Sequence, residues 1–302
     1  MKNKINVSAI KRKTPMAAWS IARFVLLLGF SYVILYPLLV KLSLVFMAEI
    51  DLRDVTVKWV PRHFTFENIA LTVKITDYFE ILGNTLLFCG IVAILQIAVC
   101  VLSSYALARF DFKGRNFVFL LVLATLIVPP QTYIIPLYQQ FKDLGVLNTI
   151  WPFILMAVTG MAMRSGLYIY VLRQAFRGMP KELEEAANVD GAGPFKTFIQ
   201  IMCPNIVPTM ALCLILSFVW QWNDSFYLSL FSPQLKLMSS LLSGIRTTIA
   251  NFFGGWNAAA GNLYTSSLVN TTTLLSFLPV IIIFIICQKS FVQGVERSGL
   301  VG

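Results

Sequence analysis

Arg164 and Asp224 are the ionisable residues that fall inside long apolar stretches of this 302-residue chain. A charge at membrane depth is costly and normally faces protein or water, so each marks a place where a polar ligand or a neighbouring helix is met. Arg164 has three readings: lining a pore, pairing with a neighbouring helix, or snorkelling to an interface. Asp224 ends the run WQWND, preceded by Trp220, Gln221, Trp222 and Asn223. Indole faces stack on C–H patches while amides and carboxylates hydrogen-bond hydroxyls, the combination that suits a carbohydrate surface. An interfacial tryptophan belt with helix–helix hydrogen bonds would use the same residues. A third cluster is acidic: KELEEAANVDGAG, Lys181 to Gly193, carries Glu182, Glu184 and Glu185 within four positions.

Enzymatic chemistry finds little support. His63 is the single histidine, so no histidine-based metal site or membrane protease centre can be assembled. Cys89, Cys100, Cys203, Cys213 and Cys287 show no paired spacing for a metal or a disulfide and read as small apolar packing residues. The phosphate-cradling loop G-x-x-x-x-G-K-[ST] is absent. If the protein uses ATP, another chain must hydrolyse it.

The elements that position these residues are set by composition. With 57% hydrophobic and 13% charged residues and a mean hydropathy of +0.75, the chain is an integral membrane protein. Intervals centred on residues 24–40, 81–108, 117–138, 150–172, 206–228 and 268–287, in which Arg164 and Asp224 are the charged residues, are each read as a span, which needs about 20 residues. Backbones in lipid without strand partners must be helical, which predicts an all-α bundle of six helices. Fifteen of the 24 lysines and arginines then fall on one side, placing both termini in the cytoplasm. Residues 1–22 form a basic cytoplasmic tail and 23–302 the transmembrane domain, with a cytoplasmic loop at 178–208 and an outer loop at 231–266. Topology and anionic lipid account for the tail without nucleic acid. The first apolar run is too long for a signal peptide and reads as a retained helix.

The acidic cluster lies in the longest cytoplasmic loop. Pro180 and the three glutamates favour a helix start, Gly191 and Gly193 end that helix, Pro194 opens a second and Pro204 interrupts it. Leu183, Ala186 and Ala187 offer a small apolar face, sufficient either to cap the bundle or to dock into a partner's groove. Pro129-Pro130-Gln131 should kink the third span and expose carbonyls acceptable only beside protein or water. Thr271, Thr272 and Thr273 offer hydroxyls to a conduit or to their own helix. The outer loop carries NFFGGWNAAAGN, flexible glycines around exposed aromatics that suit a contact or an interface-lying segment.

Glu185-Ala186-Ala187, three residues, Gly191, nine residues, Ile201, one residue and Cys203-Pro204 resembles the EAA-loop signature E-A-A-x3-G-x9-I-x-L-P of permease subunits of bacterial ABC importers. Cys203 stands where leucine is usual. YALARFDFKGRN, IVPPQTYIIPLY, LRQAFRGMPKELEEAA and WQWND extend the resemblance, from about Asn68 to Gly294, to the maltose-type carbohydrate-uptake branch. The resemblance implies a type I importer permease fold in a bacterial inner membrane. It also implies a coupling helix at Glu182, Glu184, Glu185, Ala186, Ala187, Asp190 and Gly191 that inserts into a cytoplasmic ATPase subunit. A carbohydrate path along Gln131, Arg164, Trp220, Asn223 and Asp224 is expected, and contacts from Phe252, Phe253 and Trp256 to an extracytoplasmic solute-binding protein. The implied partners are a second, different permease chain and two ATPase subunits, which hold ATP and magnesium while this chain binds no cofactor. An ion-coupled secondary transporter, a permease for a solute such as glycerol phosphate, and a membrane scaffold are the alternatives.

Overall fold

The computed structural model of the chain describes residues 7–255 and 263–299. Its helices are α1 Val7–Val45, α2 Glu49–Arg53, α3 Glu67–Thr76, α4 Tyr78–Arg109, α5 Arg115–Ile127, α6 Ile134–Asp143, α7 Trp151–Val158, α8 Ser165–Arg177 and α9 Glu182–Val189. There follow α10 Pro194–Thr197, α11 Cys203–Asn205, α12 Val207–Asn223, α13 Phe226–Phe231, α14 Met238–Phe252 and α15 Leu263–Gly299. Among the described residues, β pairing is limited to an isolated bridge between Met47 and Phe64.

Among the described residues, three continuous helical stretches are long and apolar enough to cross a membrane: Trp19–Val45, Tyr78–Arg109 and Tyr264–Lys289. The other expected spans are not single helices. The interval 117–138 is divided where α5 ends at Ile127 and Pro129 turns extended, with ψ 140°, before a 3-10 turn at Pro130–Thr132 and α6. Adjacent prolines remove two donors and exclude the preceding residue from helical geometry, so the break is local chemistry. The interval 150–172 is divided between α7 and α8, with Gly160 (φ 72°) and Arg164 (φ 64°) both left-handed. The interval 206–228 is divided between α12 and α13, and at its start α12 meets the preceding segment Pro194–Asn205 at a bend of 79°, where Pro204 and Pro208 flank Ile206. Residues 231–266, expected as a flexible loop, contain the helix α14.

The chain divides into two compact units, one of residues 1–72 with 249–274 and one of 73–248 with 275–302. In the second unit α4 is the hub, packing against α7, α8 and α12. Ile97, Cys100, Val101, Tyr168, Leu172 and Cys213 fill the core there. Cys89, Cys100 and Cys213 are buried as small apolar fillers, Cys203 and Cys287 are partly exposed, and all five are free thiols. Phe117, Leu120 and Leu121 on α5 and Ile281, Ile282 and Phe284 on α15 are exposed, the pattern of helices solvated by lipid tails rather than water.

In the first unit the buried Asn68 amide donates to the carbonyls of Val45 (2.9 Å) and Met47 (2.8 Å), satisfying chain that leaves α1. Asp51 is buried at 3% exposure. Its carboxylate accepts the amides of His63 (2.7 Å) and Arg62 (2.8 Å) and contacts His63 Nδ1 at 2.7 Å. These donors, the His63 amide first, hold the Asp51 carboxyl below the usual carboxylate range. A depressed folded-state value contributes stability above the unfolded pKa and loses it as pH falls through the folded one. Asp51→Asn is therefore expected to reduce hydrogen-exchange protection of the Arg62 and His63 amides at pH 7. The difference from the parent should persist at about pH 4, the ordinary aspartate value, and vanish only at lower pH, once the depressed folded-state value has been passed and Asp51 is neutral; equal protection at pH 7 would show that the carboxylate does not anchor this segment.

Candidate functional site

α9 carries Glu182, Glu184 and Glu185 in its first turn, where the helix dipole favours negative charge. It ends in a Schellman turn. Gly191 adopts φ 75°, its N–H donates to Asn188 at 3.1 Å, and the Ala192 N–H reaches back to Ala187 at 2.9 Å. This pair of bonds demands a left-handed residue four positions after the residue whose carbonyl is capped, which explains the spacing from Ala187 to Gly191. Gly193 is then extended and Pro194 begins α10.

The same turn decides which face of α9 is free. Ala187 is buried at 3% exposure and Leu183 half-buried, since residues four apart share a helix face. The apolar face expected from Leu183, Ala186 and Ala187 is thus divided, with two of its members turned into the chain. Glu182, Glu185, Ala186, Val189, Asp190 and Gly191 stand exposed, and Val189 (88%) and, beyond the turn, Phe195 (72%) are the large apolar groups there. Glu184 points inward. Its Oε1 accepts from the Tyr105 hydroxyl at 2.9 Å and its Oε2 lies 3.4 Å from Arg109 Nη1. Arg109 Nη2 also donates to the carbonyl of Met179 at 2.7 Å.

A cavity of about 560 Å³ lies in the same unit, walled by the two broken segments Val128–Gln131 and Gly160–Gly166 together with Trp220, Phe226 and Tyr227. Gln131, Arg164 and Trp220, far apart in sequence, meet here. The Arg164 guanidinium sits 4.6 Å from the Trp220 ring centroid, a cation–π distance, and it is the one charged group among the described lining residues. Thr125 and Ser165 add hydroxyls, and the Tyr133 and Tyr227 hydroxyls lie 3.3 Å apart. Aromatic faces, an amide, hydroxyls and a guanidinium can stack on and hydrogen-bond a polyhydroxylated ligand.

The unwound wall is held by Gln96, fully buried on α4. Its Nε2 donates to the Met163 carbonyl and to Ser165 Oγ, each at 2.8 Å, and its Oε1 accepts from Ser217 at 2.6 Å. A non-helical carbonyl at membrane depth is tolerated only when so satisfied. A search for charges misses Gln96; the available signal was a lone amide within the apolar run AILQIAV.

Asn223 and Asp224 do not line this cavity. The buried Asp224 carboxylate accepts the amides of Phe226 and Tyr227, both at 3.1 Å, and so caps the start of α13. The Asn223 amide donates to Val219 on its own helix at 2.8 Å. A carboxylate just ahead of a helix start has unpaired backbone amides within reach, and here they take it. Trp222 is buried in the core. Thr271, Thr272 and Thr273 each return their hydroxyls to carbonyls one turn earlier. In the other unit Phe252 is about half exposed (51%), with its ring centroid 5.3 Å from that of Phe253, which packs 6.3 Å from Tyr264. Trp256 lies outside the described residues.

Residues 100–297 match the family described as binding-protein-dependent transport system inner membrane component. The arabinooligosaccharides transport system permease protein AraQ of Halalkalibacterium halodurans is 30% identical over 300 residues, covering 97% of this chain and 100% of that one. The melibiose/raffinose/stachyose import permease protein MelC of Bacillus subtilis is 33% identical over 252 residues, 82% of this chain and 86% of its own. The sn-glycerol-3-phosphate transport system permease protein UgpE of Escherichia coli is 26% identical over 281 residues, 90% and 94% of the two chains. In fold, the chain is similar to one from the crystal structure of a bacterial ABC transporter involved in import of the acidic polysaccharide alginate. That match has a TM-score of 0.76 at 22% identity, over 91% of this chain and 97% of the other.

Proposed function

Because the chain belongs to the family of inner membrane components of binding-protein-dependent transport systems, we propose that it forms half of the pathway of an ATP-driven sugar or oligosaccharide importer. It crosses a bacterial inner membrane six times, the third, fourth and fifth passes as bent or broken helices, with both termini cytoplasmic. It pairs with a second, different permease chain, receives solute from an extracytoplasmic binding protein and is driven by two ATPase subunits. ATP and magnesium act on those subunits, and this chain carries no catalytic group and no cofactor of its own.

The observation that carries this reading is α9. An acidic helix of eight residues with a Schellman stop leaves Glu182, Glu185, Ala186 and Val189 exposed. That arrangement suits insertion into a groove whose rim is basic, with the glutamates fixing register. Relatives named for arabinooligosaccharides and for melibiose, raffinose and stachyose support a carbohydrate solute, as does the cavity of aromatics, hydroxyls and Gln131. A second reading, a permease for an anionic solute such as a glycerol phosphate, is favoured by Arg164, which faces no carboxylate among the described lining residues.

Reconstitution tests the proposal. Uptake into vesicles should require the partner permease, the ATPase and the ligand-loaded binding protein together, while uptake by the purified chain alone under an ion gradient would refute it. Mass spectrometry of the ligand on the co-purified binding protein decides between neutral saccharide and anion. With a saccharide, Arg164→Gln should lower uptake several-fold, whereas an anionic solute should lose it at least about tenfold, since a charge-assisted bond is roughly twice as strong as a neutral one.

A further inference from the structure

An exposed docking face transmits nothing unless the opposite face of the same short helix is tied to the bundle. α9 is tied at Glu184, whose carboxylate bridges Tyr105 (2.9 Å) and Arg109 (3.4 Å) in the last turns of α4. The Arg109 side chain is only 6% exposed, and it also holds the Met179 carbonyl in the strand of chain between α8 and α9. The Tyr105 ring cannot tilt freely. Its centroid lies 5.3 Å from Phe176 at the end of α8, 4.8 Å from Phe198 in the π-helical turn leading to α12, and 5.5 Å from Phe110.

We propose that Glu184, Tyr105 and Arg109 form a force-bearing clasp that converts displacement of α9 into displacement of α4, and through Gln96 into movement of the cavity wall. This rests on the reading that α9 meets the ATPase. α4 runs unbroken from Tyr78 to Arg109, whereas the segments around the cavity are interrupted. From Tyr105 to Gln96 is nine residues, roughly 14 Å of helix at 1.5 Å per residue. There the Gln96 amide grips Met163 and Ser165, on either side of Arg164. A continuous chain of directed bonds therefore joins the acidic loop to the solute cavity, and the three clasp residues are positioning residues within it.

The test uses the complete importer in vesicles and reads solute transported per ATP hydrolysed. Tyr105→Phe removes one hydroxyl and keeps the ring packing, and Glu184→Gln removes the charge while keeping an acceptor. Each is expected to lower that ratio about 5-fold, the effect of losing one net hydrogen bond. Adding Tyr105→Phe to Glu184→Ala should produce no further fall, because the two act through one contact. Cross-linking from Glu182→Cys to the ATPase in the otherwise unaltered importer checks the underlying reading separately. Absence of that cross-link overturns α9 as the docking element. A cross-link together with an unchanged solute-to-ATP ratio in Tyr105→Phe and Glu184→Gln overturns the clasp alone. A lower yield of assembled complex, with the ratio preserved in what assembles, marks the contact as merely structural and equally overturns it.

Discussion

Gly191→Pro is expected to cut uptake at least about tenfold, equivalent to roughly 1.4 kcal/mol in the coupling step, while the chain still reaches the membrane. Proline fixes φ near −65° and has no N–H, whereas Gly191 stands at φ 75° and donates to Asn188. The Schellman turn cannot close around such a residue, and a helix of eight residues has little stability without its stop. Loss of the turn moves Val189 and Asp190 from where a partner would meet them, yet α4, α8 and α12 keep their packing. Glu185→Lys reaches the same end differently: the side chain is exposed, so the turn survives and only the sign of the docking charge reverses. The checks are uptake, ATP hydrolysis and retention of the ATPase by the tagged permease. Parental transport by both variants would remove α9 from the coupling path.

Gly166→Leu should prevent the second unit from packing, and Gly166→Ala should destabilise it by about 1–3 kcal/mol, the range for overpacking a filled site. A Cβ at Gly166 would lie 2.5 Å from Thr125 Oγ1 and 2.9 Å from the Val122 carbonyl on α5. Rotating Thr125 away breaks its hydroxyl bond to that carbonyl and leaves the backbone clash in place. α8 and α5 would have to separate, opening the cavity wall that both line. Small residues at such crossings are how membrane helices approach without a hydrophobic driving force. Thermal melting in detergent, read by loss of the monodisperse peak, is the measurement; a Gly166→Leu protein melting with the parent would show that α5 and α8 do not pack this closely. Gly294 is a second such crossing, where a Cβ would meet the Pro208 carbonyl at 2.8 Å and Leu212 at 2.9 Å.

Much of the acidic loop around α9 was legible in the sequence because its determinants are local. Acidic residues ahead of an apolar turn, glycine at a left-handed stop and proline at a helix start each act within a few residues. Even so, periodicity alone did not say which side of α9 was free, and Ala187 and Glu184 proved to face the chain itself. The proline pair in IVPPQ announced a break in the third span for the same local reason. The break between α7 and α8 gave a weaker signal, since Arg164 in the left-handed region is permitted only by surroundings that include Gln96.

Composition, charge spacing and local motif spacing determined that this is a helical membrane protein with an acidic, glycine-stopped helix in a loop, because solvent and local backbone geometry act on each segment separately. Tertiary structure alone decided where the polar groups point. Gln131, Arg164 and Trp220 became one cavity because α5, α8 and α12 cross near Gly166 and Gln96. Asp224, equally polar in sequence, was turned instead to the two free amides of α13. A buried polar group binds whichever partner the packing brings within hydrogen-bond reach, and that partner is not encoded in its own neighbourhood of the chain.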